Sequence, residues 1–460
     1  MNKKNYGFFD FFFIIITILI LIYIFFKSEI IFDGLKRSYY IKYYIFSFLL
    51  FSFSIFFLTL SKKLKNIFIF MFIFSLVIVF TAELFFTLKF WNNYHYITYE
   101  KYIKEYEKNN NKTYDRRLIN DIYFDEKKIN PNLAISIGST LYKKDSKIDL
   151  FPLGGVSNTV TIGCNLNGYW SLYKSDRYGF NNPDLVWETN GPDVFLFGNH
   201  EVHSNCLNRP FDIASLLRAK NLKDLNFINL GINSNGPITN YAILKEYSRK
   251  KVPKHIFWFF DEDTELDWII SDLKNIFLKN YFYNTNFNQD LINKQKNIDE
   301  IIKTKIKQKL KTENEKEKKA KSINKEKIIK FFKLTFVRTY SIEKFFTLSK
   351  NNTVINEMVP KEFKELTALL IDFSSKNNIK PHFVFMPTYK RYFKKHNFKN
   401  DLSDEIIKIA KDKGFDVINL ITDFDDYEDP KKLFAIKYYN GYSKDGNILI
   451  ANKISEYLKD

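Results

Sequence analysis

Cysteine is scarce in this chain of 460 residues: Cys164 and Cys206 are the only two. That count excludes a disulfide scaffold and any four-thiolate metal site, and leaves open either one disulfide or two buried thiols. A clustered basic face is missing as well. The net charge of +18 comes from 70 Lys and Arg against 52 Asp and Glu, but the lysines are scattered among Asn, Ile, Phe and Tyr. With no recognisable nucleic-acid module beside them, no nucleic-acid partner is expected. The first apolar run also lacks the short core and small-residue cleavage site of a secretory leader, ending IYIFFKSE, and is read as retained.

Long apolar runs are what the N-terminal part does have. Phe8 to Phe26 reads FFDFFFIIITILILIYIFF, and Tyr43 to Leu60 and Ile67 to Leu88 are also nearly free of charge. Each is long enough to cross a hydrocarbon layer as a helix, which predicts three spans and a membrane anchor over 1–89. Glu83 lies inside the third run and is expected to reach the interface or a polar neighbour. Lys3, Lys4, Lys62, Lys63 and Lys65 fall on one side, and Lys27, Lys36, Arg37, Lys42 and Lys89 on the other, so charge leaves the topology open.

Beyond the anchor, a connector over 90–149 leads into a large soluble region over 150–460. Within it, LFPLGGVSNTVTIGCN suggests turns and short strands. Five short apolar runs follow, DVFLFG, LNFINLG, HIFWFF, HFVFM and FDVINL, each suited to a strand buried on both faces. Segments with helical spacing alternate with them, which predicts an α/β fold with a parallel, doubly wound sheet. A charged stretch over about 288–350, containing KTENEKEKKAKSINKEK, reads as an exposed helical insertion.

In an open parallel sheet the ligand crevice lies beyond the carboxyl ends of the strands. The segments there and around them are SDRYGFNNPD, VFLFGNHEVHSNCLNRP, NLGINSNGP, HIFWFFDEDTELD and YNGYSKDGN. In order and spacing they resemble the SGNH, or GDSL-like, hydrolase superfamily in a membrane-attached bacterial version, over roughly Leu150 to Leu458. The resemblance implies a three-layer α/β/α, flavodoxin-like domain behind the three spans. It also implies a serine nucleophile after the first strand, a glycine amide and an asparagine side chain as oxyanion donors, and a late histidine base.

On those positions this chain departs from the family. The nucleophile triplet reads Gly198, Asn199, His200; the glycine donor survives as Gly231; the asparagine triplet reads Asp263, Thr264, Glu265; and Gly441 stands where the base belongs. No catalytic residue is intact, so the ordinary acyl-transfer mechanism is not expected. Two substitute sites remain as alternatives. Ser204 could serve as nucleophile with His200 or His203 as base. His200 and His203 with Asp261, Asp263 and Glu265 could converge on a divalent metal, although HEVH is not the HExxH signature.

The resemblance carries further expectations. Cys164 and Cys206 fall where relatives also show cysteine, so a disulfide between them would hold the lead-in module against the site, in an oxidising compartment. Trp170, Tyr173, Trp258, Trp268 and Tyr442 lie near the crevice motifs, where aromatic faces could stack on sugar rings. Relatives act on acyl groups of cell-envelope glycans. The reading is therefore a degenerate, binding or assembly protein of the bacterial inner membrane with a periplasmic domain. Its expected partners are the membrane and either an envelope polysaccharide or another membrane protein, with no cofactor; the alternative is an active esterase or acyltransferase with a rearranged or metal-assisted site.

Overall fold

The computed structural model describes the chain except residues 1–6, 32–33, 35–36, 90–102, 105, 109, 144–147, 223, 263–264, 322–324, 338–357, 394–400, 436–440 and 460. The chain forms two units. One comprises Met1–Trp91 and Ile323–Lys350, the other Asn92–Ser322 and Asn351–Asp460.

In the first unit, uninterrupted apolar sequence forms α1 (Phe8–Phe25), α2 (Arg37–Thr59) and α3 (Lys62–Lys89). The candidate membrane spans are Phe8–Ile31, Tyr40–Thr59 and Lys62–Leu88, the three expected from sequence. Phe13 of α1 locks against Phe57 of α2 and Phe72 of α3, with ring centroids 5.1 and 5.2 Å apart. Asp10 is buried at the head of α1 and pairs with Lys65 Nζ at 2.6 Å. Because a lone buried charge is costly, this pair fixes the start of α1 beside the start of α3.

In the second unit, the apolar runs form β4 (Asp193–Phe197), β5 (Asn226–Asn229), β6 (His255–Asp261), β7 (Lys380–Met386) and β8 (Asp416–Asn419). They make one five-stranded sheet in the order β5-β4-β6-β7-β8, parallel throughout. Alternate residues feed two cores. Phe195, Phe197, Trp258 and Phe260 enter one, beneath the helices Pro237–Tyr247 and Lys361–Lys376. Val194, Leu196, Phe257 and Phe259 enter the other, beneath Ile213–Arg218 and Lys444–Lys459. The result is the expected three-layer α/β/α arrangement with a doubly wound strand order.

Two sequence readings change. The connector is folded in part: the helix Ile119–Ile129 and β1 (Leu133–Ile135) contribute Ile122, Tyr123, Ala134 and Ile135 to the first core. β1 joins β2 (Val160–Ile162) and β3 (Leu172–Lys174) in a second sheet of order β1-β2-β3. The charged insertion is exposed only in part. The helix Gln295–Lys321 buries Ile298, Ile302 and Ile306, whose four-residue spacing makes one apolar stripe on an otherwise charged helix.

The lead-in motif explains its own glycines. A Cβ on Gly155 would lie 2.4 Å from the Gly179 carbonyl oxygen, and Gly179 itself has φ +83°. Only glycine allows these two backbones to touch.

Candidate functional site

The connection from β4 runs outward to β5 and the next returns across it to β6. The strand order therefore reverses between β4 and β6, and it is beyond the carboxyl ends at such a reversal that an open parallel sheet places a ligand crevice. The described residues there are Gly198 to Ser204 after β4, Asp261 and Glu262 at the end of β6, and Glu265 at the start of the helix Glu265–Asp272.

After β4 the chain turns directly into the short helix His200–His203 with Asn199 as its N-cap residue. Asn199 Oδ1 accepts the Ser234 N–H at 2.9 Å and ties this turn to the loop after β5. The Asn199 Nδ2 group is buried without a hydrogen-bond partner among the described residues. His200 Nε2 stands 2.9 Å from Glu201 Oε1, so an imidazole and a carboxylate occupy the mouth of the turn.

His203 is fully committed elsewhere. The Asn233 N–H donates to its Nδ1 at 3.1 Å, which places the ring proton on Nε2, 3.0 Å from the Tyr173 hydroxyl. Burial, with His200 adding to it, lowers its pKa to about 3, so it stays a neutral structural imidazole. Ser204 sits at φ +49° and donates its hydroxyl to the Glu201 carbonyl at 2.8 Å, while Asn447 Nδ2 donates to it at 3.4 Å. Neither residue has the geometry of a nucleophile beside a base.

The donors of the expected oxyanion hole are also engaged or missing. The Gly231 N–H donates to Asn229 Oδ1 at 2.8 Å, and a Cβ there would meet the His203 nitrogen at 2.5 Å. Asp263 and Thr264 lie outside the described residues. Gly441 accepts the Ala435 N–H at 2.7 Å through its carbonyl and brings no side chain.

The crevice is instead acidic and buried. Asp261 is 3% exposed, Glu201 4%, and Glu265 and Asp272 are fully covered. Among the described residues, both oxygens of Glu265 lack a hydrogen-bond partner. Burial first, then the carboxylates of Asp261, Glu201 and Asp272, push Glu265 well above the usual carboxylate range, which favours its neutral form. Asp272 is the satisfied member: it accepts the Thr239 N–H at 3.0 Å and pairs with Lys143 Nζ at 2.5 Å.

Lys143 and Asp272 were not picked out from the sequence. They lie in different loops and helices with no shared motif, and a lysine among YKKDSK carries no signal of burial. Among the described residues, no three His, Cys, Asp or Glu side chains are grouped so as to hold a metal ion. With both nitrogens of His203 bound to the protein, the proposed metal grouping loses one of its imidazoles.

Of the aromatic residues near the crevice motifs, Trp258 is fully buried in one core and Tyr442 in the other, its hydroxyl donating to the Pro387 carbonyl at 2.8 Å. They are packing residues. Trp268 faces Lys143, whose Nζ lies 5.4 Å from its ring centre. Cys164 and Cys206 form a disulfide with Cα atoms 4.7 Å apart. Beside it, the Cys164 N–H donates to the Asn205 carbonyl at 3.1 Å, so the lead-in sheet is fastened directly to the loop after β4.

No protein-family model matches this chain, and neither does any curated protein. Solved structures similar to it include two hydrolases. One is a lipolytic protein of the G-D-S-L family from Desulfitobacterium hafniense DCB-2, at 13% identity and a TM-score of 0.31, covering 58% of this chain and 99% of that one. The other is the acetyl xylan esterase AlAXEase, at 13% identity and a TM-score of 0.31, covering 58% and 98%. In fold the chain is similar to SGNH/GDSL-like hydrolases. The turn after β4 presents His200.

Proposed function

We propose that this membrane protein is a catalytically degenerate member of the SGNH-like group, acting in the cell envelope as a tethered binding or assembly protein. One observation carries the reading. The turn after β4 presents the imidazole of His200 2.9 Å from Glu201 instead of a hydroxyl, and the nearby hydroxyl of Ser204 is spent on a backbone carbonyl. Loss of the nucleophile and base leaves only the small acceleration that binding and residual donors supply.

The disulfide between Cys164 and Cys206 supports a soluble unit in an oxidising compartment, as a periplasmic domain of an inner-membrane protein would be. Envelope polysaccharide or another membrane protein is the partner class this placement favours. A second reading, an enzyme with a rearranged site, draws on the same His200 and Glu201 pair beside the neutral-favouring Glu265.

Full-length protein in detergent, assayed for hydrolysis of p-nitrophenyl acetate and acetylated glycans, separates the two. The natural chain is expected to be inert, and a variant carrying His200→Ser, Thr264→Asn and Gly441→His is expected to gain turnover. Turnover by the natural chain that disappears on His200→Ala would overturn the degenerate reading and establish the second.

A further inference from the structure

Glu83 lies within the third span, yet it is completely covered. Its carboxylate accepts two backbone N–H groups from a distant part of the sequence, Phe336 at 3.0 Å and Val337 at 2.7 Å. These belong to the same unit as the spans. Just before them, the helix Lys325–Phe332 packs on α3, with Phe331 and Phe332 centred 5.6 and 6.3 Å from Phe80. Between the two contacts the chain turns through Leu334 at φ +50°.

The depth of these contacts follows from helix geometry. Phe80 and Glu83 precede Leu88, the last residue of the candidate span, by eight and five residues. At a rise of about 1.5 Å per residue they lie about 12 and about 8 Å inside that end. Backbone N–H groups at such depth have no water to bond and must find an acceptor within the protein. Glu83 supplies it.

The rest of the segment has the composition of an interfacial helix. Lys325 to Lys333 reads KEKIIKFFK, with four lysines and one glutamate. Ile328, Phe331 and Phe332 recur at three- and four-residue spacing, and Ile329 widens the stripe. Ile328 is 49% exposed, Ile329 40% and Phe332 67%. This uncovered apolar surface continues that of α3, where Val77, Leu84, Phe85 and Leu88 are also exposed. Lys333 is exposed beside it.

We propose that Lys325–Val337 is a fourth membrane contact: an amphipathic segment that lies in the headgroup and acyl boundary of an anionic bilayer and is locked to the third span by Glu83. Lipid is the occupant because the apolar face is continuous with the surface of the spans, and because the lysines interspersed with it suit anionic headgroups.

The test uses the full chain with its disulfide intact, carrying Phe332→Cys, in nanodiscs of phosphatidylcholine and phosphatidylglycerol. Ile129→Cys, at a position 75% exposed in the soluble unit, is the control. A membrane-impermeant maleimide is expected to alkylate position 332 about tenfold more slowly than position 129, as a side chain in the acyl boundary would react. A bimane placed at position 332 is expected to be quenched by lipid bearing a nitroxide near the headgroup. Adding Glu83→Gln is expected to narrow the difference in alkylation. Equal alkylation of the two positions would overturn the proposal. So would protection without lipid quenching, which would mean that protein, such as a second copy, covers this face.

Discussion

Two buried acids in the second unit, Asp176 and Glu265, are both fully covered and have opposite surroundings. Asp176 accepts four N–H groups: the backbone of Tyr178 and Phe180, the Asn182 amide and the Trp187 indole, all at 2.8 to 2.9 Å. Burial still lifts its pKa, to about 6, against the pull of those donors. Among the described residues Glu265 has no donor on either oxygen, and three other carboxylates lie near it. One acid is a structural hub that gathers SDRYGFNN into a latch; Asn182, for example, passes on to the edge strand by binding both the N–H and the carbonyl of Asn229. The other is held at the crevice by the fold around it. Burial alone does not say whether an acid supports a fold or is carried by it; the donors around it do.

The largest effect should come from removing the hub. Asp176→Ala leaves four buried donors without their acceptor, and each orphaned group costs roughly 1–3 kcal/mol. With partial relaxation the loss is expected to be about 4 kcal/mol, read as a strong fall in the melting temperature of the detergent-solubilised chain. A loss under about 1 kcal/mol would mean that water reaches the latch, and the contrast with Glu265 would fail.

Much of this frame was legible in the sequence because it rests on local pattern. Runs such as VFLF and HIFWFF announce strands buried on both faces, and the glycines of LFPLGG announce turns. At the crevice the sequence singled out His200, Asp261 and Glu265 by their place after the strands. The pairing of Lys143 with Asp272 could not be read, because a salt bridge between separate elements leaves no periodic trace. The helix Gln295–Lys321 hid its buried stripe beneath a lysine and glutamate majority, and the return of Lys325–Phe332 to the spans was masked by the same charge run.

A second test sharpens the comparison at the crevice. Glu265→Leu replaces an acid without a donor among the described residues by an apolar side chain of similar size, and is expected to stabilise the second unit by about 1–2 kcal/mol near neutral pH. The sign of its pH dependence is fixed. The folded pKa of Glu265 lies above its unfolded value, so the native state holds more protons and the natural chain loses stability as pH rises from the ordinary glutamate range. The gap in melting temperature between variant and natural chain should therefore widen from pH 4.5 upward. A gap that narrows instead would show Glu265 to be ionised and paired in the folded protein.

The smallest effect concerns a buried base. His382 is stacked on Phe257 with ring centroids 4.3 Å apart and shares a contact of 2.9 Å with His255, between its Nε2 and His255 Nδ1. Burial, together with His255 and Lys380 and against the pull of Asp416, lowers its pKa to about 3. Here the unfolded chain takes up the proton first, so stability is present above about pH 6.5 and falls as the pH drops toward 3. The slope is at most about 1.4 kcal/mol per pH unit for one group. His382→Phe keeps the ring stack and removes that proton. It is expected to leave the melting temperature at pH 7.5 little changed and to flatten its fall between pH 6.5 and 4.5. His203 and His255, lowered to about 3 and about 4 by burial, should retain their share of the slope. An unchanged slope would mean that His382 already binds a proton in the folded state, and that this buried base, unlike Glu265, finds its charge tolerated.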